Sequence, residues 1–240
     1  MTTSTPHRAQ APYWSWPGLI EGARLTLPLL PGIVVFSAAF GTIAAQKGLT
    51  LAQLVLMNGI VFAGAAQLVA LEVWTEPLAL GTIVSLAVVT AIVNARFVLM
   101  TASLRPWLGP LPAWQVYPAL LLTTDATWIV GARYHASGGA DASIYVGAGL
   151  VLWAIWVGAA IPGYLLGAVF ADPARFGFDL MLPIFFTAML VQLWRGARRA
   201  IGWTIAGAVG LAASWLLPGW WFIVIGAIAG SIAGGFIHDD

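Results

Sequence analysis

Long stretches without charge dominate this sequence and limit what it can fold into. Residues 77–95 are uncharged without exception, and a helix needs roughly 20 apolar residues to cross a bilayer. Only 8% of the 240 residues are charged and 60% are hydrophobic, whereas a soluble domain carries about 25% charged residues. These proportions exclude a soluble globular domain. We predict an all-α polytopic integral membrane protein, embedded in a lipid bilayer.

The hydropathy pattern predicts about seven to eight transmembrane helices. The number depends on Leu217-Pro218-Gly219, which is either a tight turn between two helices or a kink within one. We expect an N-terminal cytoplasmic or interfacial segment over residues 1–24, a single transmembrane domain over 25–237 and a short tail over 238–240. The predicted spans are residues 25–45, 50–72, 77–101, 113–132, 143–170, 179–194, 200–217 and 219–237.

The basic residues of the predicted loops indicate the orientation of the chain. Cytoplasmic loops carry an excess of lysine and arginine. With the N-terminus inside, more basic residues fall on the inner side than on the outer side, so we expect a cytoplasmic N-terminus. The inner side then holds Arg8, Arg24, Arg133, Arg195, Arg198 and Arg199, and the outer side holds Lys47, Arg105 and Arg175.

Three residues that disturb helices lie close together in the first predicted span, namely Pro28, Pro31 and Gly32. Each proline removes a backbone donor and crowds the preceding turn, so we expect this span to be broken at Pro28 and at Pro31-Gly32. Transporters use broken helices to aim half-helix termini at charged substrate groups. Pro183 holds a similar place in the sixth span, five spans later, which suggests an inverted repeat. The alternative is that proline is simply common in membrane helices.

One carboxylate lies deep inside a predicted span. Asp125 is the only charged residue between residues 113 and 132, and Thr124 precedes it directly. Arg133 follows eight residues later, about 12 Å along a helix, which is too far for a short side chain to reach the surface. An isolated charge in hydrocarbon is costly and tends to face a cavity or a partner. We predict a role in substrate or proton handling, with helix–helix contact alone as the alternative.

Three further polar side chains lie within predicted spans. Arg96 either marks the end of the third span and extends to the surface, or lies inside, where it would hold a substrate carboxylate or balance Asp125. Asn94 points away from Arg96 on an ideal helix, so the two share a site only if the helix unwinds. Gln67 follows a run of small residues and lies nine residues after Asn58, which places their side chains on different sides of a continuous helix.

The composition argues against a cofactor, a metal site and catalysis. The chain has no cysteine, and its three histidines fall in predicted tails and loops, so neither residue supplies a ligand at membrane depth. One deep carboxylate does not provide the nucleophile and base that an intramembrane hydrolase needs. Ten basic and nine acidic residues leave a net charge of +1, which provides no basic surface for nucleic acid.

Four stretches together resemble the AzlC family of branched-chain amino acid permeases and exporters. They are residues 22–41 (GARLTLPLLPGIVVFSAAFG), 62–67 (FAGAAQ), 94–106 (NARFVLMTASLRP) and the Thr124-Asp125 segment. The resemblance implies a bacterial inner-membrane protein that exports leucine, isoleucine and valine, with methionine as a further candidate. It also implies a partner, a small AzlD-type membrane subunit. After about residue 135 the likeness is one of hydropathy only.

The leading hypothesis is therefore a secondary transporter that exports a zwitterionic amino acid as the large subunit of a two-component system. The broken first span or Arg96 would bind the substrate carboxylate, Asp125 its ammonium group or a coupled proton, and the region around Phe36 its apolar side chain. A channel or a non-transporting membrane scaffold subunit is the alternative. The candidate substrate-binding residues are Asp125, Arg96, Asn94, Gln67, Thr124, Pro31, Gly32 and Phe36.

Overall fold

Helices account for the regular structure of the chain, and no β-strand occurs among the residues that the structure describes, so the all-α prediction is confirmed for them. The computed structural model describes residues 13–74, 79–167, 187, 196–217 and 221–236. The chain forms two compact units, Met1–Asp179 and Leu180–Asp240. The first contains α1 (Trp16–Leu25), α2 (Leu30–Gln46), α3 (Leu51–Val61), α4 (Gly64–Val73), α5 (Leu80–Ser103), α6 (Arg105–Leu108), α7 (Ala113–Leu120), α8 (Asp125–Ala136) and α9 (Ser143–Gly167), and the second contains α10 (Ala197–Leu216) and α11 (Trp221–Gly235).

Three helical segments of the described residues are long and apolar enough to cross a membrane. They are Trp16–Gln46, Leu80–Ser103 and Ser143–Gly167, and they correspond to the first, third and fifth predicted spans. The sixth predicted span, except for residue 187, lies outside the described residues. The suggested repeat between Pro31 and Pro183 lies outside them for the same reason.

The first long segment is interrupted, but only in part where the sequence predicts. A 3-10 turn over Leu27–Leu29 separates α1 from α2, and the flanking backbone stays in the right-handed helical region. Pro28 is the second residue of the turn and Pro31 the second residue of α2, where a missing N–H leaves no helical hydrogen bond unmade. The interruption is therefore confirmed at Pro28, whereas the predicted break at Pro31-Gly32 is wrong.

The second predicted span is two helices instead of one. α3 ends at Val61 and α4 begins at Gly64. Between them Phe62 takes a left-handed conformation with φ of 24°, which a bulky residue rarely adopts. A Cβ on Gly64 would overlap the ring of Trp156, so glycine allows the start of α4 to approach α9. The fourth predicted span is likewise divided, into α7 and α8.

The core of the first unit is the contact of α1 and α2 with α9. Glycines bring the backbones together, since a Cβ on Gly41 would overlap the Ala160 carbonyl and one on Gly163 would overlap the Ala38 carbonyl. Thr42 donates its hydroxyl to the Gly163 carbonyl at 2.9 Å. Small residues let helices pack closely where lipid weakens the hydrophobic drive between them. α3 and α8 also pack against α9, so this helix positions the element that carries Asp125.

In the second unit, α10 and α11 pack against each other through small residues. A Cβ on Gly226 or Gly230 would overlap atoms of Ala206. Gly226 and Gly230, four residues apart in the last helix, therefore form a contact within this chain. Small residues at that spacing commonly form helix contacts in membranes.

Candidate functional site

Asp125 lies at the start of a helix, where the fourth predicted span breaks. α7 ends at Leu120 and α8 begins at Asp125. Thr124 caps α8, because its backbone is extended and its side-chain oxygen accepts the Thr127 N–H at 3.2 Å. Threonine is a common residue at this position. The prediction that Asp125 lies inside a continuous helix is therefore wrong.

Threonine hydroxyls satisfy the backbone groups that the break sets free. Thr123 donates to the Leu120 carbonyl at 2.6 Å, and Thr127 donates to the Leu122 carbonyl at 2.9 Å. Thr123 also accepts a hydrogen bond from the Tyr145 hydroxyl of α9 at 2.7 Å. Irregular backbone at membrane depth needs such partners. The sequence Thr-Thr-Asp-Ala-Thr therefore builds the break as well as the charged site.

Arg96 of α5 forms an ion pair with Asp125. Arg96 Nη2 lies 2.9 Å from Asp125 Oδ2, and the two side chains are 29% and 23% exposed. Arg96 Cζ also lies 5.2 Å from the ring centre of Phe97, within the range of a cation–π contact. Of the two readings of Arg96, the structure supports the one in which it balances Asp125 inside the protein.

Positive charge lies beside Asp125, on Arg96 and at the start of α8, and one of its carboxylate oxygens is left available. The N-terminus of a helix carries a partial positive charge that stabilises an anion in the first turn, and Asp125 is the acidic residue there. Asp125 Oδ1 is buried and has no hydrogen-bond partner among the described residues. Because a buried acceptor without a donor is costly, an incoming N–H group gains most at this oxygen.

Asn94 does not join the ion pair. α5 is continuous from Leu80 to Ser103, so Asn94 and Arg96 point about 200° apart at about 100° per residue. Asn94 Oδ1 is buried and has no hydrogen-bond partner within the described part of the chain. The unwinding that would bring Asn94 and Arg96 to one site is absent.

Gln67 lies in a second polar group around Trp156 of α9, which we call the Trp156 cluster (Phe36, Ser37, Asn58, Gln67 and Trp156). Gln67 Nε2 donates to Asn58 Oδ1 at 2.9 Å, and Gln67 Oε1 accepts from Trp156 Nε1 at 3.1 Å. The expectation that Asn58 and Gln67 face different sides is wrong, because the helix breaks between them. Gln67 is 1% exposed, which suits a residue that positions α3 and α4.

Phe36 is the aromatic member of the Trp156 cluster on α2. Its ring centre lies 5.2 Å from that of Trp156, and Phe40 lies 5.6 Å from it. Ser37, between them, donates its hydroxyl to the Trp156 carbonyl at 2.6 Å. Phe36 and Phe40 are both buried. This region is closed packing between helices and does not form the open apolar pocket that the sequence suggests around Phe36.

Pro31 and Gly32 lie in the first turn of α2 and are exposed. No described atom lies within 4 Å of a Cβ placed on Gly32. The described contacts bring neither residue to the ion pair or to the Trp156 cluster. Their predicted role in substrate binding stays a prediction.

Sequence reasoning missed the residues that hold the site in position. Trp156 and Tyr145 are buried at 4% and 0% exposure, but aromatic residues in an apolar helix are ordinary and give no signal. The break before Asp125 did leave a signal. Thr124 precedes Thr127 by three residues, the spacing at which a capping hydroxyl meets a backbone N–H.

A cavity close to the ion pair in the sequence is separate from it, and no metal cluster accompanies the pair among the described residues. A cavity of about 260 Å³ lies between α5, α6 and α7, but Val98, the lining residue of α5 that is nearest to Arg96 in the sequence, points about 200° away from Arg96. Within the described ranges, no group of three or more histidine, cysteine, aspartate or glutamate residues is placed to hold a metal ion.

An ion pair at the break of an apolar helix is typical of membrane proteins that move charged or zwitterionic solutes. The chain belongs to the AzlC family, because the family model described as AzlC protein matches residues 28–170, more than half of the sequence. This confirms the resemblance carried by the four sequence stretches. The AzlC family is a transporter family associated with branched-chain amino acid transport, and the protein is membrane-embedded. No curated protein and no solved structure matches the chain.

Proposed function

We propose that this protein is a secondary transporter that exports leucine, isoleucine and valine, with methionine as a further candidate, across a bacterial inner membrane. The observation that carries the proposal is the Arg96–Asp125 pair at the start of α8. It presents one positive and one negative group side by side, as a zwitterionic amino acid requires. Membership of the AzlC family supports the branched-chain substrate class.

The pair can bind an amino acid by exchange of partners. The guanidinium of Arg96 is a planar fork that suits a carboxylate, and Asp125 Oδ1 is without a donor among the described residues. A substrate ammonium group on Asp125 and a substrate carboxylate on Arg96 replace one ion pair by two. An unpaired charge in a poorly solvated site would be strongly unfavourable. The exchange of partners avoids it, because every charge keeps an opposite charge beside it.

The apolar side chain of the substrate needs a hydrophobic surface beside the pair. Phe97 lies next to Arg96 with its ring 5.2 Å from the guanidinium carbon. We assign the substrate side chain to this neighbourhood and not to Phe36, which is closed against Trp156. Such a surface favours aliphatic side chains over polar ones, because burial of apolar area is worth about 25 cal/mol per Å².

Proton coupling follows from the same carboxylate. A protonated Asp125 is neutral and attracts Arg96 and a substrate ammonium group less strongly. A proton and the substrate therefore compete for one group. If the carboxylate takes up a proton on one side after it has released the substrate there, and gives it up on the other, export of the amino acid is coupled to proton entry.

We also propose that the N-terminus is cytoplasmic and that the chain works with a small AzlD-type membrane subunit. The excess of basic residues on the N-terminal side supports the orientation. The family resemblance supports the partner. Transport by the chain alone and in the presence of the small subunit is therefore measured side by side.

Leucine efflux from preloaded proteoliposomes tests the proposal. We expect efflux that falls about tenfold or more in Asp125→Asn and in Arg96→Gln, since each removes a charged hydrogen bond to the substrate. Glu21→Gln and Arg24→Gln change exposed residues of α1 and serve as matched controls with unchanged efflux. Leucinol lacks the carboxylate and isocaproate lacks the ammonium group, so neither should compete well. Strong competition by either compound, or no efflux with correctly inserted protein in both arrangements, would contradict the proposal.

A further inference from the structure

We propose that α3–α4 and α7–α8 are re-entrant hairpins that enter the membrane from opposite sides. The chain then crosses the membrane three times between Trp16 and Gly167, instead of five times. In the five-crossing arrangement each of these helix pairs would be one span. The inference concerns the path of the chain, and its evidence is independent of the substrate.

Both ends of the α7–α8 hairpin lie at the N-terminal end of α9. In the first turn of α7, Gln115 Oε1 accepts a hydrogen bond from Trp14 Nε1 at 2.7 Å. Ser15, which follows Trp14 in the sequence, donates its backbone N–H to Ser143 Oγ at 2.6 Å. Ser143 is the first residue of α9. The other end of the hairpin is Ala136, only seven residues before Ser143. The hairpin therefore returns to the side from which it starts.

The helix before the hairpin ends on this same side. Trp107, just after α5, donates its Nε1 hydrogen to the Ala140 carbonyl at 3.3 Å and stacks on His135 with 5.4 Å between ring centres. Trp128 of α8 donates to Ser103 Oγ, at the last residue of α5, at 2.8 Å. The chain thus leaves α5 and enters α9 on one side. A segment between these two points cannot make a single crossing.

The tip of this hairpin lies within the apolar layer. A Cβ on Gly149 would overlap Leu122 at the tip. Gly149 lies six residues into α9, which is about 9 Å along a helix of about 37 Å. Leu121, also at the tip, is 79% exposed. Exposure of a large apolar side chain is unfavourable in water, whereas contact with lipid or a membrane subunit satisfies it.

The α3–α4 hairpin starts at the opposite end of α9. The Leu49 carbonyl, just before α3, accepts from the Tyr164 hydroxyl at 2.8 Å, near the C-terminus of α9. The Gly59 carbonyl accepts from Trp153 Nε1 at 3.0 Å. The later residue on the α3 side thus contacts the earlier residue of α9, so the two helices are antiparallel. α3 therefore enters from the side on which α9 ends.

After its tip, this hairpin also turns back. Asn58 and Gln67 would be about 13 Å apart along a straight helix, yet their side chains share a hydrogen bond of 2.9 Å. α4 then packs against α5, which begins at Leu80, seven residues after α4 ends at Val73. Ile60 near the tip is 79% exposed, which again fits an apolar surrounding.

The distribution of basic residues supports the hairpins. With α7–α8 re-entrant, Arg105 and Arg133 lie on the side of the N-terminus together with Arg24, and Lys47 lies on the other side. With both helix pairs as crossings, Arg105 would join Lys47, and the two sides would be even. Cytoplasmic surfaces carry the excess of basic residues, so the re-entrant path gives the clearer orientation.

The hairpins make the unit an inverted repeat with a site near one surface. α1–α2 followed by α3–α4 is repeated in the opposite direction by α5 followed by α7–α8, an arrangement that transporters use. Arg96 lies seven residues from the end of α5 and sixteen from its start, which is about 10 Å and about 24 Å. The ion pair is thus nearer to the side of the N-terminus. We expect an exported substrate to enter from that side, and this expectation rests on the proposed function.

Single cysteines in the full chain test the topology directly, because the native sequence has no cysteine. Ala113→Cys and Ser137→Cys mark the two ends of α7–α8, and Ala52→Cys and Ala79→Cys mark the start of α3 and the residue before α5. All four positions are exposed. Each variant is labelled with a membrane-impermeant thiol reagent in intact spheroplasts and in inverted vesicles, and a permeant reagent shows that the thiol is reactive.

We expect Ala113→Cys and Ser137→Cys to label from one side, and Ala52→Cys and Ala79→Cys to label from the other. Labelling of the first pair from opposite sides would overturn the α7–α8 hairpin, and the same result for the second pair would overturn the α3–α4 hairpin. If a cysteine is unreactive or its variant fails to accumulate, Trp114→Cys or Gly138→Cys replaces the first pair and Gln53→Cys the third position. Loss of transport activity does not affect this readout, so its result stands apart from that of the efflux assay.

Discussion

Asparagine at position 125 would remove one charge from the Arg96–Asp125 pair and keep the shape of the side chain. The two side chains are 29% and 23% exposed, so the pair lies between an exposed ion pair, worth about 0–1 kcal/mol, and a buried one, whose disruption costs about 3–5 kcal/mol. We expect Asp125→Asn to lower the free energy of unfolding by about 1–2 kcal/mol. The protein should therefore still fold and insert.

The effect on transport should be larger than the effect on stability. The substrate ammonium group loses a charged hydrogen bond, which is worth about 1.5–3 kcal/mol, or about 10- to 100-fold in affinity. Asp125→Asn also cannot take up a proton. We expect both net leucine efflux and leucine–leucine exchange to fall, whereas a residue that only carried the proton would leave exchange intact.

A double-mutant cycle with Arg96→Gln checks that the pair acts as a unit. Thermal unfolding in detergent is measured for the parent, the two single variants and the double variant. We expect the interaction energy to exceed about 0.5 kcal/mol, the level below which two sites count as independent. Additive effects, or leucine efflux by Asp125→Asn at the parent rate and equal membrane abundance, would refute the assignment of Asp125.

Three further changes test how the site is held. Gln67→Leu leaves the buried Trp156 indole N–H without its acceptor, so the unfolding temperature should fall by the equivalent of about 1–3 kcal/mol. Thr124→Ala removes the cap of α8 and should cost about 1 kcal/mol, whereas Thr124→Ser should be close to the parent in the same thermal assay. Gly163→Leu would overlap the backbone of α2 and should prevent stable accumulation in the membrane, whereas Gly158→Leu, on the same helix with open space around it, should accumulate normally.

The apolar helices are the part of the fold that sequence periodicity and hydropathy predict well. A run of uncharged residues has few alternatives in a membrane, because every backbone group must find its partner within the segment. The helices around Arg96 and around Trp156 therefore follow from composition alone. Asp125 also stands out by itself, since a lone charge in such a run is expensive.

The breaks within the second and fourth predicted spans were not predictable in this way. Phe62 gives no sign of a left-handed conformation, which glycine or asparagine would normally indicate. The conformation is held by contacts that form only in the folded chain, where Gly64 meets Trp156 and Gln67 meets Asn58. Pro31 in the first span misled for the opposite reason, because a proline at the start of a helix costs it no hydrogen bond.

The amino-acid sequence by itself determined that this chain is a helical membrane protein of the AzlC family with one exceptional carboxylate. Only the tertiary structure decided which cation balances that carboxylate. Arg96 and Asp125 are 29 residues apart in the chain, and the choice between a surface arginine and an internal partner depends on how α5 and α8 are placed against each other. Hydropathy records the cost of leaving water at each position, but it carries no information on whether an apolar helix continues across the membrane or turns back.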